Sequence, residues 1–155
     1  MKGYLKNETE TQAILKPGNW LHTGDSAYYD ETNHFYIVGR LKELIKVKGL
    51  QVAPAEIENI LKQHSKITDV AVIGIPHDKK GEVPFAFIVK RQALKDDLSV
   101  DEIHDFLNGK VAEYKRLAGG IKFVETIPHS AAGKILRKDL LIHYNEHISE
   151  TRTTS

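Results

Sequence analysis

Cysteine is absent from the sequence. A disulfide framework, a thiolate metal site and a cysteine nucleophile are thereby excluded, while the redox compartment stays open, because a chain without thiols is compatible with any. An excess of one charge is missing as well: 22 Lys and Arg stand against 21 Asp and Glu. No net pull toward nucleic acid or an anionic membrane follows, and nucleic acid is not an expected partner. No apolar run approaches the ~20 residues that span a bilayer, and Met1-Lys2-Gly3-Tyr4 opens no apolar signal core. No Gly-x-Ser-x-Gly hydrolase elbow and no internal repeat occur. What is present is 155 residues, 41% hydrophobic and 28% charged, the composition of a globular chain with one sizeable core that works in water.

Phe35 to Val38 reads as a strand after a turn at Asp30 to Asn33, and Leu44 to Lys48 as another. Pro54 opens a helix that places Ile57, Ile60 and Leu61 on one face through about Gln63. Ile67 to Ile75 and Val83 to Val89 are β-rich runs around a polar turn from Pro76 to Gly81, which predicts a hairpin. Ser99 and Glu102 form a capping box ahead of Val100, Ile103, Leu107, Val111 and Tyr114, spaced by threes and fours as in a helix. Ile121 to Glu125 reads as a short strand, Pro128 to Gly133 as a loop, and Leu136 to Ile148 as a final helix. From residue 44 the order β, α, β, β, α, β, α predicts an α+β fold, a small mixed sheet flanked by helices.

Positive charge gathers in two short places, Lys42 to Lys48 and Lys134 to Lys138, both beside glycine (Gly39, Gly49, Gly133). Such loops suit phosphate, because backbone N–H groups approach closely where no Cβ intervenes. Gly133-Lys134 is not a P-loop: Pro128 stands where its first glycine belongs, and Ile135 where Ser or Thr would hold magnesium. His143-Tyr144-Asn145-Glu146-His147 matches the inverted zinc-protease pattern. A third protein ligand is needed for catalytic zinc, and nothing converges to supply it, so this segment reads as a solvated end helix and no metal site is assigned.

Longer strings carry more. Trp20-Leu21-His22-Thr23-Gly24-Asp25, Gly39-Arg40-Leu41-Lys42-Glu43-Leu44-Ile45-Lys46, Gly49-Leu50-Gln51-Val52-Ala53-Pro54-Ala55-Glu56-Ile57-Glu58 and Gly133-Lys134-Ile135-Leu136-Arg137 occur in that order. Together they resemble the C-terminal portion of the adenylate-forming enzymes, above all coumarate-CoA ligases, fatty acyl-CoA synthetases and beetle luciferases. The resemblance covers about residues 1 to 148. It implies a β-rich end segment of the large AMP-binding domain over 1–41, a mobile C-terminal lid domain over 42–148, and a polar tail over 149–155.

In that family an acid and ATP give an acyl-adenylate and pyrophosphate, after which the CoA thiol displaces AMP. The small domain swings on a hinge to present a different face for each step. By resemblance Asp25 would grip the ribose hydroxyls, Arg40 would face the nucleotide, and Lys42 would be the hinge. Lys46 and Gln51 would lie near the acyl-adenylate, and Lys48 with Gly49 would form the CoA-facing loop. Lys134 would be the catalytic lysine that bridges the substrate carboxylate and the α-phosphate during adenylation. The implied cofactors are ATP, CoA and Mg2+, the metal held mainly by an N-terminal AMP-binding domain, which would be the partner along with a carboxylic acid. Ser26, Asn33 and Val47 depart from the family's usual apolar residue, glycine and aromatic residue. Lys42 and Gln51 lean away from peptide-synthetase adenylation domains and acetyl-CoA synthetases.

Three readings remain open: the catalytic lid of an acid-CoA ligase, inactive alone; a non-catalytic truncated interaction or regulatory module; and a luciferase fragment. The ending Arg152-Thr153-Thr154-Ser155 is no Ser-Lys-Leu address, so the expected compartment is the cytoplasm.

Overall fold

The structure, a computed structural model, describes residues 1–91 and 98–147, the last of these by its backbone. The tail expected over 149–155, and Ile148 at the end of the last helix, lie outside the described residues. Contacts divide the chain into two compact units, Met1–Lys42 and one beginning at Glu43.

The first unit holds helix α1 (Glu8–Ile14), the short pair β1 (Leu15–Lys16) and β2 (Trp20–Leu21), and the hairpin β3 (Asp25–Tyr29) with β4 (Phe35–Arg40). The resemblance implies a β-rich segment here, and α1 is an element that the sequence reading does not single out. Glu8–Ile14 has no apolar stripe to betray a helix; its local support is Asn7, whose side chain accepts from the Glu10 N–H at 3.1 Å and caps the N-terminus. Tyr28, Tyr29, Phe35, Tyr36 and Ile37 are exposed on the β3–β4 hairpin. A two-stranded ribbon has no layer of its own to bury them.

The second unit is a five-stranded mixed sheet with helices on both faces. Its strands are β5 (Ile45–Val47), β6 (Leu50–Val52), β7 (Ile67–His77), β8 (Gly81–Lys90) and β9 (Gly120–Phe123), and its helices α2 (Pro54–Leu61), α3 (Val100–Leu107) and α4 (Arg137–His147). β8 is central, antiparallel to β7 along its length and parallel to β9 from Phe85 to Ile88, while β5 meets it only at Val47 and Gly81. Alternation along β7 and β8 sorts the core into two layers. Val70, Val72, Ala86 and Ile88 pack with Ile57 and Leu61 of α2 and Ile103 and Leu107 of α3. Ala71, Ile73, Phe85 and Phe87 face Leu140 and Tyr144 of α4. Each fully buried aliphatic side chain here contributes ~1.5–3 kcal/mol.

Pro84 sits inside this central strand without breaking it. Its carbonyl accepts from Gly119 N–H at 2.8 Å, so its main-chain polar groups point to the edge opposite β7. Along that edge β5 pairs at Gly81 and β9 only from Phe85, and the N–H that proline lacks falls in the gap between them.

Three elements differ from expectation. The β7–β8 hairpin extends through His77 and Gly81, which pair directly, so the turn is shorter than Pro76 to Gly81. β6 is only three residues ahead of Pro54, too short for its alternation to stand out. α3 starts as its cap predicts, Ser99 accepting from the Glu102 N–H at 3.1 Å, but stops at Leu107. Asn108 turns extended, its side chain accepts from Arg116 at 2.7 Å, and Gly109 follows at φ +75°. Val111 and Tyr114 still pack against the core, from a loop and a 3-10 turn over Glu113–Lys115. Among the described residues no helix is long and apolar enough to cross a membrane.

Candidate functional site

In the first unit the antiparallel register sets Asp25 opposite Arg40. Arg40 Nε lies 3.0 Å from Asp25 Oδ1, and its Nη1 donates to the Thr23 carbonyl at 2.8 Å. The Asp25 N–H is itself tied to Thr23 Oγ1 at 3.2 Å. Arg40 thus orients the carboxylate without enclosing it, leaving acceptor capacity suited to a pair of hydroxyl donors. The far end of the hairpin is closed by Asp30, which accepts from the Thr32 hydroxyl at 2.7 Å, the His34 N–H at 3.0 Å and the Tyr36 hydroxyl at 2.9 Å. Those bonds hold its carboxyl down at about 2, the Thr32 bond foremost, and the bond that Tyr36 donates to Asp30 raises the Tyr36 phenol. Asn33 has φ +62°, so its departure from glycine keeps the left-handed turn that asparagine tolerates.

In the second unit Lys46 and Gln51 are direct cross-strand partners on the exposed face of the β5–β6 hairpin. The Lys46 N–H donates to Glu82 at 2.8 Å. Between the strands Lys48 and Gly49 have φ +50° and +82°, the signature of a type I′ turn, whose second position strongly favours glycine. Open space surrounds the position a Gly49 Cβ would occupy, with no heavy atom of the described residues within 4 Å beyond its chain neighbours. The Lys48 N–H donates to the Lys80 carbonyl at 2.8 Å. Beside this turn lies a cavity of ≈ 280 Å³ lined by Val47, Lys48, Lys80, Glu113, Tyr114 and Ala118.

Lys134 stands on a separate loop between β9 and α4. Ser130 closes the loop on itself: its N–H donates to the Lys134 carbonyl at 2.8 Å and its hydroxyl accepts from the Lys134 N–H at 3.2 Å. His129 and Ile135 form an isolated β-bridge at its base. The Lys134 side chain is exposed, and among the described residues no carboxylate lies within ion-pair distance of it. Lys42 is exposed at the end of the first unit, inside a 3-10 turn over Leu41–Glu43.

Sequence reasoning misses a group that the fold assembles beneath Lys134. Arg137 donates from Nη2 to both oxygens of Glu58 at 2.8 and 2.9 Å, and its Nη1 lies 3.0 Å from Glu43 Oε2. Glu58 is 5% exposed and also accepts from the Val72 N–H at 2.8 Å. Burial pushes its carboxyl above the usual range; the Val72 N–H and the Arg137 charge oppose that only in part. All three residues stand inside the quoted motifs. Their convergence has no signal in the spacing.

A larger cavity of ≈ 750 Å³ lies between the ends of β8 and β9 and α4, lined in part by Lys90, Phe123, Glu125, Asp139, Leu140 and His143. None of the residues nominated above lines it. Among the described residues no three His, Asp or Glu side chains gather to hold a metal, and no magnesium ligand is assigned to this chain.

The family profile of the AMP-binding enzyme C-terminal domain matches residues 56–134, half of the chain. The 4-coumarate:CoA ligase 1 of Petunia hybrida is 49% identical over 140 residues, covering 90% of this chain and 25% of that protein. The luciferin 4-monooxygenase of Photuris pensylvanica is 47% identical over 150 residues, 97% of this chain and 27% of that one. Among solved structures, the o-succinylbenzoate CoA synthetase of Bacillus subtilis in complex with an acyl-adenylate intermediate superposes with a TM-score of 0.83 at 31% identity, over 90% of this chain and 28% of that one. The chain thus spans about a quarter of the length of these relatives.

Proposed function

Because the chain belongs to the adenylate-forming enzymes, through their AMP-binding enzyme C-terminal domain, we propose that it is the catalytic lid of an acid-CoA ligase. Its partner is a large AMP-binding domain that holds a carboxylic acid and ATP with Mg2+. The observation that carries this reading is Lys134, an exposed ammonium without a carboxylate partner among the described residues, on a loop closed by its own hydrogen bonds.

Adenylation joins a carboxylate oxygen to the α-phosphorus and expels pyrophosphate, so negative charge shifts across the phosphate oxygens in the transition state. A preorganised ammonium that donates charge-assisted hydrogen bonds to the carboxylate and the α-phosphate screens their repulsion and stabilises that shift. Asp25, oriented by Arg40, accepts from the ribose hydroxyls. Lys46 and Gln51 serve the acyl-adenylate from their shared hairpin face. In the second step the CoA thiol attacks the acyl carbon and AMP leaves, with the pantetheine arm passing the Lys48–Gly49 turn, where no side chain projects from Gly49.

The test is a hybrid in which this chain replaces the matching quarter of the Petunia ligase. The reading predicts acid-dependent exchange of pyrophosphate into ATP and formation of the CoA thioester by the hybrid. The 155-residue chain alone should perform neither, since it contains no glycine-rich phosphate loop and nothing positions a substrate for Lys134. Acid-dependent exchange by the homogeneous chain alone would sink the proposal. The regulatory-module reading has no comparable support, because a scaffold needs neither an exposed Lys134 without a carboxylate partner among the described residues nor an oriented Asp25.

Lys42 supplies a second test. A residue that absorbs the torsion change between the two steps lies at an element boundary, and Lys42 ends the first unit. Proline fixes φ near ~−65° and removes the amide donor. Lys42→Pro in the hybrid should leave pyrophosphate exchange within about threefold of the parent while overall thioester formation falls at least tenfold, a selective loss that fits a blocked conformational step. Parallel losses in both half-reactions with a lowered melting temperature would assign Lys42 to folding instead.

A further inference from the structure

The Lys134 loop is rooted in the domain by Arg137, three residues further along the chain and the first residue of α4. Its guanidinium is shared between a fixed side and a looser one. On the fixed side are both oxygens of buried Glu58 and, at 3.4 Å, the carbonyl of fully buried Val72. On the other side is Glu43, whose side chain is 40% exposed and belongs to the same 3-10 turn as Lys42.

For stability alone the Glu58 pair suffices, since a half-exposed ion pair such as Glu43–Arg137 contributes little. What the second carboxylate adds is geometry. The guanidinium is planar and its donors are fixed in direction, so a shift of Glu43 turns the fork away from one carboxylate or the other. The Ser130–Lys134 bonds make the loop a closed unit, so rotation at its Arg137 root moves the lysine with it.

We propose that Arg137 is a positioning residue for Lys134, and that its bridge to Glu43 ties the setting of the Lys134 loop to the backbone at the Lys42–Glu43 boundary. The inference rests on the proposed role of Lys134 and extends it: adenylation geometry is held only while the Glu43 bridge is made.

The test uses Glu43→Gln, which keeps the shape and leaves Glu58 to pair with Arg137. In the 155-residue chain the amides of Gly133 and Lys134 should exchange with solvent at least threefold faster, with the melting temperature within about 2 °C of the parent, as expected of a half-exposed pair. In the hybrid, kcat of pyrophosphate exchange should fall roughly 10- to 100-fold, the scale for a misplaced catalytic group. KM for ATP and thioester formation from preformed adenylate should each stay within about twofold. Arg137→Lys should produce the same selective loss, and the double variant should be no worse than the single ones. Unchanged amide exchange, or equal losses in both half-reactions, would overturn the proposal. A hybrid inactive before any substitution counts against the proposed function, and amide exchange in the chain alone then decides the coupling.

Discussion

Lys134→Ala in the hybrid enzyme should slow acyl-adenylate formation by roughly 10²- to 10³-fold, the cost of removing one preorganised donor from developing negative charge. The size of the effect follows from the way the lysine is presented. Its loop is closed by Ser130, and no carboxylate among the described residues competes for the ammonium. The loop backbone is thereby set, and among the described residues the ammonium has no carboxylate to give up before it meets the phosphate. Thioester formation from preformed adenylate should stay within a few-fold, because the bond made in that step lies between the thiol and the acyl carbon. Lys134→Arg should recover little, since a planar fork does not place its donors where a compact ammonium does. Equal losses in both half-reactions would contradict a role confined to the first.

Arg137→Ala should cost the second unit about 3–5 kcal/mol at neutral pH, the scale for removing one partner of a buried pair and leaving the other charge uncompensated. Glu58 then stays buried with the Val72 N–H bond and the Lys62 charge to support it, and no guanidinium. The sign with pH is fixed by the direction of its titration. Burial already raises the Glu58 carboxyl, and the Arg137 charge opposes that rise. A group whose carboxyl is raised on folding binds more protons folded than unfolded between its two values, so its contribution to stability falls as pH rises through that window. Without Arg137 the folded value rises further and the window widens upward. The deficit of the variant should therefore be largest at pH 7–8 and shrink as pH falls toward the ordinary carboxylate range. Urea denaturation at pH 7.5 and pH 5 measures this. A deficit equal at both values would mean that Arg137 stabilises by packing, not by charge.

The sequence is informative about this fold where the local pattern and the tertiary demand coincide. Ile57 and Leu61, the alternating residues of β7 and β8, and the Ser99 cap each occupy the place that periodicity assigns. It is uninformative where an element is too short, or too polar, to show a periodic apolar pattern. α1 has no apolar stripe, and β6 is recognisable only as the partner of β5. Val111 and Tyr114 keep helical spacing and core contact, yet the chain between them and Leu107 leaves the helix at Asn108. The candidate site divides in the same way. Asp25, Arg40, Lys42, Lys46, Gly49, Gln51 and Lys134 are nominated by the sequence because each sits inside a contiguous motif, and Lys48 because it lies between two of them. The ion pairs of Arg137 with Glu43 and Glu58 are not, since one spans 79 residues and nothing local tells a buried glutamate from a surface one.

The account turns on whether this chain supplies the group that completes adenylation, and the rate of acid-dependent pyrophosphate exchange measures that directly. The large domain of the Petunia ligase should be assayed alone, joined to this chain, and joined to the chain carrying Lys134→Ala. The account predicts a gain of at least ~10²-fold on joining the unaltered chain, most of it lost with the alanine variant, as one preorganised donor at the reacting phosphate requires. Exchange that is no faster with the chain attached, or a gain that survives the loss of Lys134, would contradict it.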